Sequence, residues 1–163
     1  AGAKMVPFAG FDMPISYHSI IEEHQTVRKG AGLFDVSHMG QIFVGGGESD
    51  KFLDHLLTNA IAGRPMGAAV YAHMANEQGG VIDDLIVYKL SEKMNLLVVN
   101  ASRIEADWNW IKTQSNGYEI QLSNESDKYG ILALQGPLAV QIGQTLLPKT
   151  YDIAKFKVAV IMT

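Results

Sequence analysis

Two adjacent aspartates, Asp83 and Asp84, stand inside the run VIDDLIVYKL, which otherwise reads as a β-strand. Side chains alternate along a strand, so the two carboxylates point to opposite faces. Asp83 shares a face with Val81, Leu85 and Val87, and Asp84 shares the other with Ile82, Ile86 and Tyr88. Both faces are apolar up to Lys89, which places the strand inside a sheet. A carboxylate there is costly unless it is paired or hydrogen-bonded. One reading is structural, with one aspartate accepting backbone amides and the other exposed at a strand end. The other reading is a working carboxylate. Tyr88 shares the face of Asp84, and Tyr71 on the preceding strand should lie near it across a hairpin. A carboxylate between rings with polar tips suits a flat heteroaromatic ligand with ring nitrogens.

Other reactive groups carry less. His38 beside Asp35 in FDVSHMG has the look of an acid–base pair, but a histidine tied to backbone accounts for it more simply. Ser37 lacks the G-x-S-x-G context of a hydrolase nucleophile. The GGG run at Gly45–Gly47 lacks the G-K-[S/T] ending of a phosphate loop and reads as a turn. No two histidines share the i, i+4 spacing of a zinc helix, so no metal is expected.

The elements that position these residues follow from periodicity. Residues 1–18 read as loop and short extended pieces. Ser19 and Glu22 form an S-x-x-E capping box that starts a helix, with Ile20, Ile21, His24 and Val27 on one stripe and Gly30 or Gly32 ending it. Gln41–Val44 is a strand. Ser49 is an N-cap for a helix burying Phe52, Leu53, Leu56 and Leu57. AAVYAHMA, VIDDLIVYKL and NLLVVNA, joined by NEQGG and SEKMN, make an antiparallel meander. Ser102 and Glu105 suggest a second capping box, leading a helix with Ile104, Trp108 and Ile111 inward. YEIQLS and YGILALQG are further strands, and Pro137 opens a helix through Leu147. The order lacks βαβ alternation and reads as α+β: a mostly antiparallel sheet with packed helices.

The totals agree with a folded chain. At 163 residues, 47% hydrophobic and 18% charged, it can bury a core without staples. Absence of cysteine excludes disulfides, thiolate zinc sites and a cysteine nucleophile. A net charge of −4 offers no footprint for nucleic acid or an anionic membrane. The apolar runs are shorter than the ~20 residues of a membrane helix, and no signal-peptide pattern opens the chain. The start at AGAKMVPFAG and the apolar, strand-like end at KVAVIMT lead us to expect a native polypeptide that continues beyond both.

GAKMVPFAGFDMP, SIIEEHQTVRKGAGLFDVSHMG, LLTNAI, NEQGGVIDDLIVYKL, LLVVNAS and LALQGP, in this order, resemble the aminomethyltransferase of the glycine cleavage system, the T-protein family. The resemblance covers the whole chain, and FDVSHMG with GGVIDDLIVY is its specific signature. It implies that residues 1–163 are the N-terminal part of the folate-binding region, without the C-terminal domains. It implies an enzyme that passes a methylene group from an aminomethyl-lipoyl arm of H-protein to tetrahydrofolate and releases ammonia. By the same resemblance Asp84 is the catalytic carboxylate, and Met39, Tyr71, Ile86, Tyr88 and Asn100 contact the folate. Asp83 is then structural. A monomer in bacterial cytoplasm or mitochondrial matrix is expected, and this part alone should neither turn over nor hold folate tightly. Other enzymes on the scaffold resemble it too, namely dimethylglycine and sarcosine dehydrogenases and a sulfoniopropionate demethylase. So does a non-enzymatic folate-binding accessory protein.

Overall fold

A computed structural model describes residues 2–146. The expected strand at the C-terminal end lies outside them. The described residues divide into two units, residues 2–38 with 130–146 and residues 39–129.

In the first unit the expected loop is a hairpin, β1 (Lys4–Phe8) on β2 (Phe11–Ser16). The two residues between them, Ala9 and Gly10, both take positive φ, as a tight hairpin turn requires. Helix α1 (Ile20–Lys29) starts at Ser19, whose hydroxyl accepts from Glu22 N at 3.4 Å. The reciprocal half of the box is replaced: Glu23, one residue on, accepts from Tyr17 N and His18 N. Those two amides hold the Glu23 carboxyl below its ordinary range. Gly30 ends the helix as expected. Ile20 and Ile21 are exposed, so the apolar stripe is uncovered among the described residues. Next comes β3 (Gly32–Asp35), a strand that sequence periodicity does not mark.

In the second unit β4 (Gly40–Gly45) leads to α2 (Ser49–Leu56). The cap is Glu48, one residue earlier than expected. Its carboxylate accepts from Lys51 Nζ and Glu119 N, both at 2.8 Å. Ser49 is buried instead, accepting from Asn95. The meander follows as expected, with β5 (Ala69–Ala75), β6 (Val81–Ser91) and β7 (Met94–Val99). A 3-10 turn, Ala101–Arg103, then enters α3 (Ile104–Gln114). Ser102 lies within that turn and caps nothing, so the second capping box does not form. The last strand of the unit, β8 (Gln121–Asn124), pairs with β4.

The resulting five-stranded sheet has the order β5-β6-β7-β4-β8, antiparallel throughout. Its core face carries Ile42, Val44, Ala72, Met74, Leu85, Val87, Leu97 and Val99, covered by Phe52, Leu53 and Leu56 of α2 and Ile111 of α3. Lys89, also on this face, is buried and ion-paired to Asp50, which accepts from Asn95 as well. Among the described residues, both helices of this unit, α2 and α3, pack on this core face.

One glycine is required by this arrangement. Gly46 leaves β4 at φ +116, and a Cβ there would stand 2.6 Å from the carbonyl oxygen of Glu119. Gly46→Ala should therefore destabilise the unit by about 2 kcal/mol. The urea midpoint reports it, and an unchanged midpoint would show that the loop gives way freely.

The chain returns to the first unit with β9 (Leu132–Gln135), antiparallel to β3, and α4 (Ala139–Leu146). Pro137 precedes this helix by two residues rather than opening it, and Leu147 lies outside the described residues. The structure is α+β, as expected. Among the described residues no helix is long and apolar enough to cross a membrane.

Candidate active site

β6 lies between β5 and β7, so both of its edges are paired. The hairpin register pairs Met74 with Asp83, His73 with Asp84 and Tyr71 with Ile86. A bulge between Val81 and Asp83 opens the strand just before the two aspartates. Asp83 points to the core face at 7% exposure, while Asp84 is half-buried on the other. Alternation along the strand separates them as expected.

Asp84 is held from two sides. The Tyr71 hydroxyl donates to its Oδ2 at 2.8 Å. Asn100, at the end of β7, donates from Nδ2 to the Asp84 carbonyl at 3.0 Å and to its Oδ1 at 3.3 Å. The same Nδ2 donates to Asp83 Oδ1 at 2.9 Å, and the Asn100 backbone N–H donates to Asp83 Oδ2 at 3.2 Å. One carboxamide thus bridges both aspartates through the strand. The carboxylate of Asp84 raises the Tyr71 hydroxyl above its ordinary pKa, so the phenol stays a donor.

The remaining expected residues fall around this cluster. Ile86 sits on the same face between Tyr71 and Val98. Tyr88 shares the face but stands four residues from Asp84, roughly 13 Å along the strand. Burial pushes its hydroxyl up. Met39 directly precedes β4, and its carbonyl accepts from Gln41 Nε2 at 2.9 Å. Tyr71, Asp84 and Asn100 are therefore brought together by hydrogen bonds; Met39 precedes Gly40, which pairs with Val99, and so falls beside Asn100, while Tyr88 stands apart along the strand.

Two residues of the site are absent from the sequence reading. His73 is the cross-strand partner of Asp84, with its ring edge-on to Tyr71 at 5.4 Å. Its place opposite Asp84 depends on the bulge before Asp83, which the residue pattern does not mark. Asp107 is fully buried on α3. It falls on the stripe of Ile104, Trp108 and Ile111, so helical spacing held the signal. Burial raises its carboxyl to about 8, helped by hydrogen bonding to Asp83 and by repulsion from its charge.

His38 belongs to the first unit and is no acid–base partner. The Asp35 carboxylate accepts from Ser37 N at 3.0 Å, and the Ser37 bonds hold it below its ordinary range. His38 rests edge-on against Phe8 and Phe11 rather than on backbone. Ser37 accepts from Ile131 N, a structural bond.

The exposed face can receive a flat ring. Tyr71 is 53% exposed beside a carboxylate that still has acceptor capacity. Such a face can align a donor N–H and stabilise a cation forming above it.

The profile of the GCVT N-terminal domain family matches residues 1–161. The aminomethyltransferase of Thermotoga maritima is 51% identical over 146 residues, which are 90% of this chain and 40% of that protein. The aminomethyltransferase of Caldanaerobacter subterraneus is 47% identical over 154 residues, covering 94% of this chain and 41% of its own. The crystal structure of glycine cleavage system aminomethyltransferase T from Bartonella henselae superposes with a TM-score of 0.84 at 35% identity, over 96% of this chain and 43% of that one. The chain thus spans about 40% of the length of the relatives it matches.

Proposed function

This chain belongs to the GCVT N-terminal domain family, the N-terminal portion of the glycine cleavage T-protein, and we propose that it supplies the catalytic carboxylate of an aminomethyltransferase of its relatives' length. The proposed substrates are an aminomethyl-lipoyl arm on H-protein and tetrahydrofolate. In the overall reaction the C–S and C–N bonds of the aminomethyl group break. Two new bonds join its carbon to N5 and N10 of the folate. The two protons lost from those nitrogens leave on ammonia and on the dihydrolipoyl thiol.

The observation that carries this reading is the placement of Asp84. It is held by Tyr71 and Asn100 on a half-buried sheet face rather than in the core. A carboxylate fixed in this way can accept from the folate N–H groups and stabilise the iminium carbon that they attack. It can also take a proton as nitrogen is alkylated. Tyr71 and Ile86 flank it as an aromatic and an apolar wall for the pterin, with Met39 beside Asn100 and Tyr88 farther along the ligand.

The test is turnover by a polypeptide of the relatives' full length that carries this chain. With lipoylated, aminomethyl-loaded H-protein it should release ammonia rapidly only when tetrahydrofolate is present. An equal rate without folate would overturn the reading.

A further inference from the structure

Asp107 takes no part in the transfer chemistry, and its position is chemically demanding. It is fully buried on α3, against the core face of the sheet. Neither carboxyl oxygen meets a hydrogen-bond donor among the described residues. The group within hydrogen-bonding reach is another carboxylate, Asp83, which is itself buried. Two ionised carboxylates there would have no donor between them and would repel. A single proton supplies the missing donor. Asp83 already accepts two bonds from Asn100, so it is the better-stabilised anion, and the proton belongs on Asp107.

We propose that Asp107 is a positioning residue for Asp84: as a neutral acid it donates to Asp83 and so fixes the Asn100 carboxamide that holds Asp84. The proposal rests on the transfer function for its kinetic consequence, while the network stands on the burial of both carboxyls, the partnerless oxygens of Asp107 and the bonds of Asn100. Asp107 meets Asp83, Asp83 accepts twice from Asn100, and Asn100 donates to the backbone and side chain of Asp84. The chain of bonds runs from a helix on the core side to a carboxylate on the opposite face of the sheet.

The arrangement is sensitive to pH on the basic side. The charged groups facing Asp107 are Asp83 from β6 and Arg103 at the head of α3. Burial and Asp83 raise the acid to about 8, and Arg103 opposes them. Above that pH the donor is lost and two anions face each other. Asn100 is then drawn from its bridging position, and Asp84 loses its bearing.

The experiment uses a polypeptide of the relatives' full length. Wild-type kcat should fall about tenfold between about pH 7 and pH 9, following the neutral fraction of Asp107. Asp107→Asn keeps a neutral N–H donor of similar shape and cannot ionise, so this basic limb should disappear. Asp107→Leu has no donor, and its kcat should be about tenfold low at every pH, with KM for tetrahydrofolate within about twofold. An independent readout is the Asn100 side-chain amide followed by NMR. It should titrate near pH 8 in the wild type and stay still in Asp107→Asn. An amide that does not move in the wild type, or an unchanged basic limb in Asp107→Asn, would overturn the proposal. A wild type without turnover would sink the transfer function alone, because the amide decides the network without it.

Discussion

Asp84→Asn should lower kcat for methylene transfer by about 10²- to 10³-fold while leaving the fold intact, in a polypeptide of the relatives' full length. The fold should survive because Asp84 is half-buried and contributes nothing to the hydrophobic core. An amide oxygen can still accept from Tyr71, and the bond from Asn100 to the backbone carbonyl of residue 84 is untouched. What the substitution removes is the negative charge on the half-buried face. Without it, the N–H groups of the folate lose an anionic acceptor, and the developing cation loses its counter-charge. The loss should appear in kcat more than in KM, since charge forms in the transition state and not in bound folate. Steady-state ammonia release, together with an unchanged thermal midpoint, checks this. Turnover within a few-fold of wild type would move the catalytic role off Asp84, and His73 opposite it would be the next residue to test.

The parts of this site that the sequence made legible are those governed by period two. Alternation in VIDDLIVYKL separates Asp83 from Asp84, and the short NEQGG link forces Tyr71 back beside the pair. The same link carried the position of His73, but only through a register that includes a bulge before Asp83. A one-residue bulge is invisible to pattern and changes which side chains face each other. The helix caps were less legible. Ser102 has the right residue type and spacing for a capping box. The chain, however, leaves Asn100 through a 3-10 turn, with Arg103 N donating to Asn100 O, and this places Ser102 inside the turn. β3 was hidden for another reason: its partner β9 lies about a hundred residues away, and GLFD has no alternation of its own. The GGG run, read as a turn, gained its physical reason only from the approach of the Glu119 carbonyl to Gly46.

Asp107 should make the protein lose stability as pH rises from about 4 to about 8, and Asp107→Asn should abolish that loss. The sign follows from where the proton sits. In the unfolded chain the group has an ordinary aspartate pKa near ~3.9. In the native state burial, first, and then Asp83 raise it to about 8. Below about pH 4 both states are protonated and the group's contribution is fully present. Between the two values the unfolded state releases a proton that the native state keeps, so unfolding becomes easier by about 1.4 kcal/mol per pH unit. Above about pH 8 both states are ionised and the loss levels off. The full span is on the order of 5 kcal/mol, a large share of the stability of a domain this size. Half-buried carboxylates with lowered values, such as Glu23, Glu48 and Glu125, act in the opposite direction as pH rises through about 4. Comparing the two proteins at each pH cancels them. The difference in unfolding free energy, Asp107→Asn minus wild type, should therefore grow steadily from about pH 5 to about pH 7.5 and then flatten. Urea midpoints across that range measure it. A difference that stays constant would mean that Asp107 is ionised in the native state at neutral pH. The buried pair would then have to find its donor somewhere other than the Asp107 carboxyl proton.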